Sequence, residues 1–127
     1  IKFDSILKVN VDHPLLSLQN FESAINILNL FEPDEVIAVK KENESFYQHN
    51  GKGLVPIQKS KNLIMEDQEI YKKIGSLHLF TKKCLYNYLK SKDKITGHLI
   101  LDNIKAFRVE NKIDFEIFKL LQKINDD

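Results

Sequence analysis

The stretch Leu7-Lys8-Val9-Asn10-Val11-Asp12-His13-Pro14-Leu15-Leu16 constrains the fold more than any other part of the chain. An apolar, β-branched run ends in an acid, a histidine and a proline, and helical spacing follows. Ile6, Leu7, Val9 and Val11 cluster without a helical period, which predicts a buried strand over residues 5–11. Pro14 breaks the run. Ser17 is then placed to cap a helix in which Leu18, Phe21, Ala24, Ile25, Leu28 and Phe31 recur on one face. Pro33 stops that helix, and Val36 to Lys40 reads as a second, β-branched strand. Strand, helix and strand with short connections predict a βαβ unit, that is, a parallel pair with a right-handed crossover. An acid at the carboxyl tip of a strand in an open α/β sheet lies where such sheets bind ligands. Asp12 is therefore the first candidate functional residue, placed to hold a divalent cation against phosphates. The competing reading is an Asx-turn ahead of Pro14.

Beyond this unit the pattern changes. Segments 45–49 and 54–57 flank Asn50-Gly51-Lys52-Gly53, a turn signal that predicts a hairpin. Residues 59–67 are polar and aperiodic, which predicts a loop or arm. Leu77 and Leu79 alternate with His78 and Phe80 in a strand over 76–81, and a short helix is expected over 82–90. Further short strands are expected at 98–101 and 106–109. Asn111 and Asp114 then have the spacing of a capping box before a last helix with Ile117, Phe118, Leu121 and Ile124 inside. The expected class is α/β, a Rossmann-like mixed sheet flanked by helices. It forms one domain over 1–127, with 45–73 as a hairpin or arm insertion.

Composition narrows the function classes. A net charge of +1 gives no field that draws in nucleic acid or an acidic membrane, and the lysines between Lys52 and Lys61 lack interleaved aromatics. No apolar run approaches the roughly 20 residues of a membrane span. The one cysteine, Cys84, excludes an internal disulfide and suits a reducing, cytoplasmic setting; its neighbours read as a helix that buries an inert thiol. His49, His78 and His98 lack zinc-ligand spacing. Ser17 and Ser76 have no nucleophile elbow around them. The chain starts at Ile1 and runs almost at once into a strand, which suggests a piece of a longer protein.

Three patches, in order, resemble the C-terminal half of acylneuraminate (CMP-sialic acid) cytidylyltransferases. The first is Asn10 to Leu16, with its helix and the strand Asp34-Glu35-Val36-Ile37-Ala38-Val39. The second is Ile70-Tyr71-Lys72-Lys73-Ile74-Gly75-Ser76-Leu77-His78-Leu79-Phe80, with Ile74 where the family has asparagine. The third is Gly97-His98-Leu99-Ile100 followed by Phe107-Arg108-Val109-Glu110-Asn111-Lys112-Ile113-Asp114-Phe115. The resemblance implies the nucleotide-diphospho-sugar transferase fold, without its N-terminal nucleotide-binding half. It implies transfer of CMP from CTP to a sialic-acid-like sugar acid, with release of pyrophosphate and with Mg2+. On the same footing it implies metal ligation by Asp12 and Glu110, and substrate contacts from Asn10, His13, Tyr71 and Arg108, with Phe80 as a further pocket aromatic. A homodimer through the 45–73 arm is implied as well.

The departures are specific. No glycine-rich phosphate loop is present, and the closing segment has Arg108 where the family has one of two metal carboxylates. These 127 residues alone are therefore expected to be inactive. The alternatives are a non-catalytic binding or assembly member of the same fold, or a cytidylyltransferase for another sugar acid.

Overall fold

A computed structural model of the chain describes residues 2–57, 70–87 and 93–125. Its central element is a four-stranded mixed sheet in the order β1-β5-β2-β6, formed by β1 (Ser5–Val9), β2 (Glu35–Glu42), β5 (Ile70–Thr81) and β6 (Thr96–Ile100). A separate hairpin pairs β3 (Tyr47–His49) with β4 (Leu54–Pro56). The helices are α1 (Leu18–Phe31), α2 (Lys82–Asn87) and α3 (Lys112–Asn125). The α/β class and the mixed sheet agree with the sequence.

The expected βαβ pairing does not form. β1 and β2 run in the same direction, yet β5 lies between them, antiparallel to both. The parallel neighbour of β2 is β6, and β1 is an edge strand whose described neighbour is β5. The cause is the composition of β5, the longest strand, whose Leu77 and Leu79 are almost wholly buried. Burial of these two leucines favours the middle of the sheet, and a later strand has displaced a sequence-adjacent one. Local spacing carries no information about such an insertion.

One face of the sheet carries the core. Ala24 of α1, with no exposed surface, packs against Val36, Ala38, Ile74, Leu77, Leu79 and Leu99. Its methyl group lets the helix axis approach the strands closely. At the end of α1, Glu32 adopts a left-handed conformation and its N–H closes on the carbonyl of Leu28. Pro33 and Ile27 then press on Gly97 of β6, where an added Cβ would lie 3.1 and 3.2 Å from them. At the start of α1, Asn20 Oδ1 accepts from both the backbone N–H and the hydroxyl of Ser17. That position matches the expected cap.

The expected hairpin is present, with Asn50 Oδ1 accepting from the N–H groups of Lys52 and Gly53. The polar loop expected over 59–67 lies outside the described residues. Ile70 to Lys73, read from sequence as the end of the arm, belong instead to β5 and pair with β2. The expected strand over 106–109 is absent. The chain turns there, with Ala106 N–H bonded to the Asp102 carbonyl and Phe107 N–H to Ile104. The last three residues of the helix expected over 82–90 fall outside the described residues.

Candidate functional site

β1 and β5 build the base of the site through an irregularity. Ile37 of β2 pairs with His78, but the next residue, Ala38, pairs with Ile74, so Gly75, Ser76 and Leu77 bow out of the ladder. Bulges of this kind re-aim a strand and are frequent beside functional sites. Asn10 fills the bow. Its N–H bonds the Ser76 carbonyl at 2.8 Å, and its side-chain amide donates to the Gly75 carbonyl at 2.8 Å. Asn10, expected to touch substrate, thus has its amide donor engaged in closing the ladder.

The chain then turns, with His13 N–H on the Asn10 carbonyl, and sets Asp12 at the carboxyl end of β1. One carboxylate oxygen of Asp12 accepts from Nδ1 of the buried His13 at 3.0 Å. The other accepts from Nε of Arg108 at 2.9 Å. The Asp12 carbonyl takes the N–H of Val109 at 2.8 Å, so the closing segment is tied to the strand tip by backbone as well as side chain. Arg108 also reaches Glu110, Nη1 to Oε1, at 3.0 Å. Glu110 in turn donates its N–H to Asp114 in the first turn of α3, whose own N–H bonds the side chain of Asn111. The hydrogen bond from Arg108 holds the Asp12 carboxyl below the usual carboxylate range, with His13 adding to it; Asp12 pushes the guanidinium upward in return.

Asp12, His13, Arg108 and Glu110 are therefore brought together from positions 96 apart along the chain. Tyr71 stands elsewhere. It pairs with Lys41 at the far end of β2, stacks at a tilt on His98 with centroids 5.3 Å apart, and lines a cavity of about 650 Å³ beside the hairpin with Phe46 and Ile57. Phe80 lines a different cavity, described below.

The metal implied by the resemblance does not fit these residues as they stand. A hard cation needs free carboxylate oxygens. Asp12 gives one oxygen to His13 and the other to Arg108, while Glu110 gives Oε1 to Arg108. Among the described residues, no group of three or more His, Cys, Asp or Glu side chains could hold a metal ion.

A second polar cluster escaped the sequence reading. On the face opposite the core, the buried Glu35 accepts from His78 Nε2 at 2.6 Å, Thr96 Oγ1 at 2.9 Å and Lys94 Nζ at 2.9 Å. Burial pushes the Glu35 carboxyl up, but the bonds from Lys94, His78 and Thr96 outweigh it and hold the group at about 2. Beside it lies a cavity of about 250 Å³ lined by Lys8, Glu35, His78, Phe80, Cys84 and Leu85. Cys84 is buried there, and that burial, with Glu35 nearby, pushes its thiol up, as an inert cysteine requires. The available signal was His78 alternating with Leu77 and Leu79, together with an acid at the first position of an apolar strand.

Among the described residues, no helix is long and apolar enough to cross a membrane. No protein-family model matches the chain, and no curated protein matches it either.

Proposed function

We propose that the chain is part of a cytoplasmic cytidylyltransferase that transfers CMP from CTP to a sialic-acid-like sugar acid, releasing pyrophosphate. The observation that carries this reading is the meeting of Asp12 with Arg108 and Glu110 at the carboxyl end of β1. Doubly wound sheets bind ligands at the carboxyl ends of parallel strands. β1 has the antiparallel β5 as its described neighbour, so the support here is the side-chain cluster and not the sheet geometry. The two segments that resemble the family's site are far apart in sequence, and the fold joins them through an ion pair and a backbone hydrogen bond. The outer edge of β1 has no strand beside it among the described residues, which leaves room for the strands of a nucleotide-binding half. In this reading Mg2+ arrives as the counter-ion of the CTP phosphates, and the hairpin serves a homodimer.

A second reading is a non-catalytic binding or assembly member of the same fold, and Arg108 in the place of a metal carboxylate favours it. Titration calorimetry of CTP into the whole protein, with and without magnesium, separates the two. The catalytic reading expects CTP binding that depends on magnesium. Absence of magnesium-dependent binding in the wild-type protein defeats it.

A further inference from the structure

A guanidinium that bonds two carboxylates from opposite ends of a chain occupies the position a bridging cation would take. Arg108 does this here. Its Nε reaches Asp12 Oδ2 at 2.9 Å and its Nη1 reaches Glu110 Oε1 at 3.0 Å. The anchoring is two-sided, because Val109 N–H bonds the Asp12 carbonyl and Glu110 N–H bonds the α3 cap at Asp114. The backbone therefore holds both carboxylates in register with the arginine. Arginine is suited to the role, since it stays charged at all working pH values and its planar fork matches carboxylate geometry.

We propose that Arg108 is a built-in cation that takes the place of a divalent metal between Asp12 and Glu110, so that the wild-type site does not bind a free metal ion. Two carboxylates against one guanidinium leave a single negative charge, where a divalent ion would leave none. A metal bridging the two carboxylates would compete with Arg108 for Asp12 Oδ2 and Glu110 Oε1, and the nearby positive charge would oppose it. Removing the guanidinium frees oxygens on two converging carboxylates, which are the ligands a hard cation prefers. The inference rests on the proposed function only for the choice of a magnesium-like cation.

Mn2+ alone, followed by its effect on water-proton relaxation, is the probe, and no nucleotide is added. Failure to bind CTP would therefore defeat the proposed function without altering this result. The whole wild-type protein and Arg108→Lys are expected to give no saturable signal. Arg108→Gln is expected to give a saturable Mn2+ signal, at least about tenfold tighter than any residual binding by wild type, and Asp12→Asn on that background removes it. Equal binding by wild type and a folded Arg108→Gln overturns the proposal. Should Arg108→Gln not fold by circular dichroism, the wild-type protein still decides: saturable Mn2+ binding lost in Asp12→Asn overturns the proposal, and its absence supports it.

Discussion

Glu35 shows how a single residue couples three parts of this sheet. It stands on β2, accepts from His78 on β5, from Thr96 on β6, and from Lys94 just before β6. Its neighbour Asp34 doubles the connection. The Asp34 N–H and side chain bond the carbonyl and N–H of Ile95, and its carbonyl takes the N–H and hydroxyl of Thr81. A carboxylate held at about 2 when folded, against 4.5 in the free state, stabilises the fold wherever it is ionised in both. The contribution is complete above the unfolded value and is lost as pH falls from about 4.5 through about 2. The difference in pKa corresponds to about 3 kcal/mol at most. Urea unfolding should therefore show Glu35→Gln destabilised relative to wild type at pH 7, with the gap narrowing markedly by pH 3. A gap of constant size would mean that the ionised form is not what the cluster stabilises. Asp12 was legible from sequence because an acid after an apolar run is a local pattern. Glu35 was not, because its partner His78 lies 43 positions away and neither residue is unusual alone.

At the scale of elements, the hairpin and the caps followed from local chemistry, whereas strand neighbours and several boundaries, the start of β5 among them, did not. The β3–β4 hairpin was readable from Asn50-Gly51-Lys52-Gly53, since Gly51 takes a left-handed backbone and Asn50 folds over the turn. The order β1-β5-β2 was not readable, because it depends on the burial of Leu77 and Leu79 against residues far away in sequence. The hairpin itself stands apart from the main sheet, with Phe46, Tyr47, Leu54, Val55 and Ile57 exposed. Five large apolar side chains on so short an element suit an interface with another copy. Deleting residues 46–57 should accordingly lower the mass measured by sedimentation toward that of a monomer. An unchanged mass removes the hairpin from any role in assembly. The missing strand over 106–109 has the same cause: the segment is held by local turn bonds at Ala106 and Phe107 and by the Val109 N–H on the Asp12 carbonyl, not by a neighbouring strand.

Across the whole molecule the burial is uneven, and this asymmetry has a dynamic consequence. Val36, Ala38, Leu77 and Leu79 lie at the junction of β2, β5 and α1 and are almost entirely removed from water. In α3 the residues Ile113, Ile117, Leu120 and Ile124, spaced to share one helical stripe, are all exposed. The sequence showed that α3 is amphipathic but placed Ile117 and Ile124 inside; in the structure Phe118 and Leu121 are the half-buried pair. Periodicity identifies a face and says nothing of what it meets. A helix with its apolar stripe in water is held chiefly by its cap at Asn111 and by the Arg108 tie to Asp12. Segments with little buried apolar surface open locally at a free energy below that of global unfolding. Native-state hydrogen exchange should therefore show α3 amides, for example Leu120 and Leu121, exchanging through local opening. The β2–β5 amides around Val36 and Leu79 should exchange only with global unfolding. Removing the tie with Arg108→Ala should speed exchange in the first turns of α3 and leave the β2–β5 amides unchanged. Equal protection of α3 and the central strands would show instead that the stripe is covered in solution.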